Sequence, residues 1–252
     1  MSVIIYGDFN CPYSYLASQR ADLLGRSGAA LVDWRAVQHD RGLPLTGSRS
    51  DGDRVVWDQE LAEVASLALP GEHVPAGPPV LISNTQAAVA AYAEAVGDGV
   101  ADELRRRLFR AIWAQGQHLS SAHEVRRLIT AVMWPQEDIA DRLASPDIPS
   151  LLLRDPDLAR GVRRAGGTIA PDGQPLTMAG WQRIWQWRQK WLALPCQVIP
   201  AVIGADQVVR SGADGLRYLA EIAADVTAAA VAPRSRAGAH PATDRNRWPV
   251  AA

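Results

Sequence analysis

The chain opens, at residues 3–17, with the sequence VIIYGDFNCPYSYLA, and this segment is the strongest indication of the architecture. Its first half is a short apolar run rich in β-branched residues, which is typical of a buried central strand. Pro12 suits the first turn of a helix, because its missing N–H would have no partner there in any case. The sequence therefore predicts a strand that is followed at once by a helix, with Cys11 at the junction.

The two ends of the chain both predict parts of a sheet. We expect the first helix to stop at the glycines Gly25 and Gly28, after which residues 31–37 predict a second strand. Near the other end, residues 200–203 and 207–210 are short apolar runs separated by a Gly-Ala-Asp turn, which indicates a hairpin. A helix over 216–226 follows. The order is therefore β–α–β at the start and β–β–α at the end.

The middle of the chain predicts helices. Residues 41–58 are rich in Gly, Ser, Asp and Arg and predict a loop. Helical spacing of apolar residues then predicts helices over 85–96, 101–114, 121–133, 136–143 and 178–192. The last of these carries its four tryptophans on one broad face, which we interpret as packing, with a ligand-lining role for one of them as the alternative. Arg188 lies within that face. Its stem could pack while its charge reaches water, or it could meet an anionic substrate, and we favour the first interpretation.

The composition is that of a globular protein and excludes several function classes. Of 252 residues, 48% are hydrophobic and 21% are charged, and 26 basic against 27 acidic side chains give a formal net charge of -1. Nucleic-acid-binding proteins usually carry a strong basic excess, so we expect no nucleic-acid partner. Two cysteines are too few for a disulfide-stapled scaffold or a four-cysteine zinc site.

Other sequence patterns exclude a metal and a membrane. No histidine has metal-ligand spacing to a cysteine, so we expect no metal site and interpret His39, His118 and His123 as solvated surface residues. The N-terminus lacks the features of a secretory signal, and no apolar segment is long enough to span a bilayer. We therefore expect a soluble cytoplasmic protein without a membrane partner.

Cys11 is the residue on which the predicted chemistry depends. A thiol at a helix N-terminus faces unpaired backbone N–H groups and the positive end of the helix dipole, which favour the nucleophilic thiolate. We therefore expect the pKa of Cys11 to lie below that of a free cysteine. Ser14 stands where a CxxC motif has its second cysteine, and its hydroxyl can donate to the sulfur but cannot close a disulfide. A lone thiol forms a mixed disulfide with another molecule or acts by binding and nucleophilic attack.

Four segments together resemble a known family. Residues 8–17, DFNCPYSYLA, resemble the active-site opening of the DsbA-like thioredoxin superfamily, above all the branch of 2-hydroxychromene-2-carboxylate isomerases and kappa-class glutathione transferases. The likeness returns at SNT (83–85), LFRAIWAQG (108–116) and VIPAV (198–202). It implies an α/β thioredoxin-like fold with an inserted all-helical domain. The implied parts are a thioredoxin-like domain at 1–55 and 193–231, the helical domain at 56–192, and a flexible tail at 232–252.

The resemblance also implies a binding site around Cys11. The implied substrate-binding residues are Pro12, Tyr13, Asn84, Ile199, Pro200 and Asp214. Pro200 would be a cis proline opposite the helix N-terminus, and the backbone of Ile199 would pair with a bound thiol or peptide. Glutathione-using members have a Gly-x-Asp-Arg turn, whereas residues 212–215 here are Gly-Ala-Asp-Gly. We therefore expect no tightly bound cofactor, a low-molecular-weight thiol (glutathione or an equivalent) as co-substrate, and a homodimer as in some relatives.

Three hypotheses about function stay open. In the first, Cys11 as nucleophile and Ser14 as its neighbour carry thiol–disulfide exchange with a small or peptidic thiol through a mixed disulfide. In the second, the cleft binds a thiol cofactor for isomerisation or transfer without net redox change. In the third, a binding protein has kept the fold without catalysis. The isomerase branch carries Ser at the position of Cys11 and redox members carry CxxC, so CPYS stands between them. Cys196 is interpreted as a structural thiol rather than a resolving one.

Overall fold

The computed structural model describes residues 1–50, 54–133, 169–170 and 172–231. The expected helix over 136–143 and the expected flexible tail over 232–252 lie outside these residues. In chain order the elements are β1 (Ser2–Gly7), α1 (Pro12–Ser27), β2 (Leu31–Ala36), β3 (Ser48–Arg49), α2 (Arg54–Leu67), β4 (Leu81–Ile82), α3 (Gln86–Ala95), α4 (Ala101–Trp113), α5 (Ala122–Met133), α6 (Met178–Leu192), β5 (Ala201–Ile203), β6 (Val209–Ser211) and α7 (Gly212–Val231).

A four-stranded mixed sheet joins the two ends of the chain, in the order β2-β1-β5-β6. Strand β1 pairs in parallel with β2 and antiparallel with β5, and β5 pairs antiparallel with β6. The central position of β1 explains its apolar sequence, since Val3 and Ile5 are fully buried. The predicted β–α–β opening and closing hairpin are both confirmed.

Helix α1 begins and ends where the sequence predicts. Pro12 occupies its first turn, and Cys11 is the N-cap residue with an extended backbone. At the other end Gly28 adopts a left-handed conformation with φ of 69°, and its N–H bonds to the carbonyl of Gly25. Only glycine takes this backbone conformation without a steric cost, so the helix stops there. Cys11 is thus fixed at the junction of β1 and α1.

The boundaries of two elements near the C-terminal end differ from prediction. Strand β6 covers 209–211 rather than 207–210, and α7 begins at Gly212 rather than at Leu216. The predicted Gly-Ala-Asp-Gly turn is therefore the first turn of α7. Glycine weakens a helix interior but is tolerated at its start, and an acidic residue there suits the helix dipole.

The predicted helices over 85–96, 101–114, 121–133 and 178–192 are confirmed as α3, α4, α5 and α6, with small shifts at their ends. The loop predicted over 41–58 is wrong in its last part, because α2 begins at Arg54. Only Leu61 and Val64 of α2 are buried, so its sequence carries no long apolar stripe. Strands β3 and β4 are two residues each, too short to show a period.

Among the described residues, no helix has both the length and the apolar character that a membrane crossing needs.

An aromatic cluster packs the helices onto the end of β1. The rings of Phe9 and Phe109 lie 5.0 Å apart, and Trp34 meets Phe109 edge-on at 5.7 Å. Tyr15 stacks on Phe109, and Tyr92 meets Phe9. Buried aromatic pairs of this kind contribute packing beyond their buried area. The cluster therefore holds rigid the segment that carries Cys11.

Candidate active site

A cleft of about 270 Å³ lies beside the N-terminus of α1, and we call it the Cys11 cleft. Four parts of the chain form it: the junction of β1 and α1, the loop after β2, α2 and β4. Its lining includes Asn10, Cys11, His39, Asp40, Trp57 and Glu60. Pro12, one of the expected site residues, also lines it. The cleft thus brings together residues that are distant in sequence around a single thiol.

The Cys11 thiol is buried and protonated, which corrects the expectation of a lowered pKa. Its side chain is 8% exposed, and burial raises its pKa to about 11. Hydrogen bonding from Ser14 lowers the pKa by less, and the negative charge of Asp8 raises it further. The helix N-terminus would favour a thiolate, but the loss of hydration outweighs it here. Cys11 is therefore an S–H group at neutral pH.

The loop before β5 lies opposite Cys11. The Ile199–Pro200 peptide bond is cis, as the resemblance implies. The Cys11 Sγ donates to the Ile199 carbonyl oxygen at 3.8 Å, a long contact between residues 188 positions apart. The Pro200 carbonyl in turn accepts from the Gly212 N–H at 2.8 Å. The structure thus brings Cys11, Ile199 and Pro200 together.

Ser14 and Tyr13 take different places in the first turn of α1. Ser14 is fully buried, and its Oγ accepts from the Asp8 N–H at 3.4 Å. Tyr13 points to α2, where its hydroxyl donates to Glu63 at 2.6 Å. Burial, together with that hydrogen bond and charge, raises the pKa of Tyr13. Ser14 therefore supports the thiol, whereas Tyr13 ties α1 to α2.

Two asparagines hold the walls of the Cys11 cleft. Asn84 is buried; its Oδ1 accepts from Gln38 at 3.0 Å, and its Nδ2 donates to the Leu43 carbonyl at 2.8 Å. The Asn84 side chain thus links two positions of the loop after β2, Gln38 and Leu43. Asn10 donates to the Ser83 carbonyl at 3.2 Å, and among the described residues its buried Oδ1 has no hydrogen-bond partner. Asn10 thus ties the junction of β1 and α1 to the segment before α3.

Asp214 and Cys196 lie on the surface. Asp214 is in the first turn of α7, where its carboxylate pairs with Arg217 at 2.6 Å. It is not among the residues lining the Cys11 cleft. Cys196 is an exposed free thiol. The structure thus does not group these two side chains with Cys11 in that cleft.

The pair of His39 and Asp8 is a feature of the site that the sequence interpretation missed. Asp8 is fully buried, and its Oδ2 accepts from both the backbone N–H and Nδ1 of His39 at 2.9 Å. His39 is exposed, as the sequence predicts, and it also lines the Cys11 cleft, which the sequence interpretation did not foresee. Asp8 follows β1 and His39 follows β2, and the carboxyl ends of parallel neighbours meet at one edge of a sheet. The predicted parallel pairing of β1 with β2 was therefore the sequence signal that could have placed Asp8 beside His39.

The Cys11 cleft is acidic apart from His39. Asp40 and Glu60 line it. Burial is the largest cause that raises the pKa of Glu60, and the charge of Glu63 raises it further, whereas the charge of His39 lowers it. Among the described residues, no group of three or more His, Cys, Asp or Glu side chains is arranged to hold a metal ion. The cleft thus presents carboxylates, an imidazole and a protonated thiol to a ligand.

The family profile for a DSBA-like thioredoxin domain matches residues 2–168. The chain belongs to this family. Comparison with the curated proteins gave no match. Among solved structures, this DSBA-like chain resembles a 2-hydroxychromene-2-carboxylate isomerase at 15% identity, covering 91% of this chain and 98% of that one with a TM-score of 0.51.

Two further solved structures resemble the DSBA-like chain. A probable DsbA oxidoreductase from Streptomyces coelicolor has 14% identity, 90% coverage of each chain and a TM-score of 0.51. The cytosolic disulfide reductase DsbM from Pseudomonas aeruginosa, solved with GSH, has 13% identity, covering 91% of this chain and 99% of that one with a TM-score of 0.51. At these identities the likeness establishes the thioredoxin-like fold.

The His39–Asp8 pair gives this DSBA-like protein a testable pH dependence. Burial alone would lower the pKa of His39, but the hydrogen bond and charge of Asp8, with Asp40 and Glu60, raise it overall. Burial lowers the pKa of His118. We expect an NMR titration to show His39 losing its proton at a higher pH than His118, and Asp8→Asn to lower the His39 midpoint only. Equal midpoints in the wild-type protein would contradict the pairing.

The same shift fixes the sign of a stability effect. The folded-state pKa of His39 is raised, so its contribution to the free energy of unfolding is complete below the unfolded-state pKa. That contribution fades as the pH rises through the folded-state pKa. The loss of stability in His39→Gln should therefore be larger at pH 6 than at pH 9, which urea denaturation at the two pH values would measure.

Proposed function

We propose that this protein is a thiol-dependent enzyme in which a low-molecular-weight thiol, bound beside Cys11, serves isomerisation or group transfer without net redox change. The observation that carries the proposal is the burial of Cys11, whose side chain is 8% exposed and whose S–H points at the Ile199 carbonyl. A buried thiol with a pKa of about 11 acts at neutral pH as a hydrogen-bond donor rather than as a nucleophile. The serine found at this position in the isomerase branch of the family has the same capacity to donate.

The environment of Cys11 supports this role. Ser14 replaces the second cysteine of a CxxC motif, so the two positions cannot form a disulfide. The Cys11 S–H points at the Ile199 carbonyl at 3.8 Å, a weak contact that a bound thiolate could displace. When bound, the thiol would supply the nucleophilic sulfur. The Cys11 S–H would donate to that sulfur and favour its thiolate form over its thiol form.

The charges of the cleft favour a particular kind of thiol. Asp40 and Glu60 repel a carboxylate and attract an ammonium group. A thiol that carries hydroxyl or ammonium groups fits these side chains better than one with two carboxylates. We therefore propose a neutral or cationic low-molecular-weight thiol, acting in the cytoplasm, where thiols are kept reduced.

Variants of Cys11 test the proposal. With 1-chloro-2,4-dinitrobenzene as electrophile and cysteamine or glutathione as thiol, we expect Cys11→Ser to keep kcat/KM within a few-fold of wild type. Cys11→Ala removes the donor, and we expect it to lose about tenfold to a hundredfold. We also expect a higher kcat/KM with cysteamine than with glutathione. Equal loss in the serine and alanine variants would argue against a donor role.

A second candidate is thiol–disulfide exchange, and the position of Cys11 opposite the cis Ile199–Pro200 bond favours it. In this reaction the Cys11 thiol loses its proton to water, and its sulfur attacks a disulfide RSSR, forming Cys11–S–S–R and releasing RS⁻. A second thiolate R′S⁻ then attacks the sulfur of the R group, which forms R′SSR and releases the Cys11 sulfur to take up a proton again. Mass spectrometry after incubation with cystamine, the cationic disulfide of cysteamine, separates the candidates. A stable adduct at Cys11 at pH 7 would favour exchange, and its absence would favour the non-redox reaction.

A further inference from the structure

We propose that the protein binds a flat apolar anion, such as an aromatic carboxylate, in a second cleft formed by α3, α6 and the segment after β2. This cleft, which we call the tryptophan cleft, has a volume of about 360 Å³. It shares none of its lining with the Cys11 cleft. The proposal therefore does not depend on the function proposed above.

The tryptophan cleft offers apolar surface that nothing in the described part of the chain covers. Trp181 and Trp185, from α6, are 45% and 64% exposed and line it together with Ile184. Val89 and Ala90 of α3 form the facing wall. Large exposed aromatic side chains grouped in a concave site are typical of ligand binding, because a flat ligand that binds there removes apolar surface of the rings and of the ligand itself from water. The sequence interpretation of these tryptophans as packing accounts for Trp187 and Trp191, which are buried.

Two arginines give the cleft an uncompensated positive charge. Arg188 reaches it from α6 and Arg41 from the loop after β2, and among the described residues neither forms an ion pair. Within the described ranges, Arg188 donates only to the Gln38 carbonyl, at 3.2 Å. Burial, and then the charge of Arg41, lowers the pKa of Arg188. None of the described residues lining the cleft is acidic. An anionic group between the two guanidinium groups would relieve their repulsion and accept hydrogen bonds from their unused N–H groups.

A single loop separates the two clefts. Gln38 and Arg41 line the tryptophan cleft, whereas His39 and Asp40 line the Cys11 cleft. The side chain of Asn84 fixes this loop by hydrogen bonds to Gln38 and to the Leu43 carbonyl. The two sides of the loop therefore carry opposite charge, and each selects a different ligand. Arg188 thus has a binding role beyond the expected contact with water.

Isothermal titration calorimetry with a matched pair of probes tests the proposal. We expect 2-naphthoate to bind the full-length protein at least tenfold more tightly than 2-naphthamide, which has the same rings without the charge. Removal of a charged hydrogen-bonding partner weakens binding by about tenfold to a hundredfold, so Arg188→Gln should reduce the affinity for naphthoate by that factor. Arg41→Gln should also reduce it, and since Arg41 is exposed this variant does not threaten folding.

The control variant is Lys190→Gln, which removes one positive charge from an exposed position of the same helix outside the cleft. It should leave the affinity for naphthoate unchanged. Equal affinity for the acid and the amide would overturn the proposal. So would a loss in Lys190→Gln as large as that in Arg188→Gln, since binding would then follow net charge alone. Unchanged affinity in both arginine variants would place the ligand elsewhere and would equally overturn it.

Discussion

At pH 8 we expect iodoacetamide to alkylate Cys11 at least about a hundredfold more slowly than Cys196. Only the thiolate reacts, and a pKa of about 11 leaves about one Cys11 in a thousand ionised at that pH. Burial slows the approach of the reagent further, since Cys11 is 8% exposed. Cys196 is exposed and free, so it serves as an internal reference in the same sample. Peptide mass spectrometry at timed intervals measures both rates.

The pH profile shows whether ionisation is the cause. If protonation limits the reaction, the rate at Cys11 should rise about tenfold for each pH unit between pH 7 and pH 10. Ser14 lowers the pKa of Cys11 by hydrogen bonding, so Ser14→Ala should slow alkylation of Cys11 and leave Cys196 unaffected. A wild-type Cys11 that reacts as fast as Cys196 at pH 8 would restore the thiolate expected from the sequence, and with it thiol–disulfide exchange.

The fold could be predicted from the sequence because its main signals are local. The β-branched run of β1, Pro12 at the first turn of α1 and the glycine that ends that helix each act within a few residues. Helix α2 was missed for the opposite reason. Only Leu61 and Val64 of that helix are buried, so its place depends on tertiary contacts rather than on its own period.

The chemistry of the site could be predicted only in part. The sequence places Cys11 at a helix N-terminus, which is correct, but the state of its thiol depends on what covers it. The partner of its S–H is Ile199, 188 residues away. The His39–Asp8 pair likewise forms across two strands. Local rules give the favourable effect of the helix end, whereas the opposing loss of hydration is a property of the assembled structure.

Arg20→Met should be among the most destabilising single substitutions in this chain, with an expected loss of about 3–5 kcal/mol in the free energy of unfolding. Arg20 is 1% exposed, and its guanidinium forms a two-pronged ion pair with Glu72 at 2.8 and 2.9 Å. It also donates to the carbonyls of Leu67, at the end of α2, and Leu216, in α7, each at 2.5 Å. One side chain thus joins α1 to two other helices, and methionine would remove the guanidinium donor from Glu72 and from both carbonyls.

Urea denaturation of four proteins separates this network from a general effect of the substitution. Arg26→Met, at an exposed position of the same helix, should leave the free energy of unfolding nearly unchanged. Arg20→Met combined with Glu72→Gln should recover part of the loss, because the double variant no longer holds an unpaired carboxylate in a largely buried position. If Arg20→Met unfolds at the same urea concentration as Arg26→Met, the guanidinium does not hold the three helices together. If the double variant is less stable than Arg20→Met alone, Glu72 stabilises the fold through other contacts, such as its bond from the Leu69 N–H at 2.8 Å.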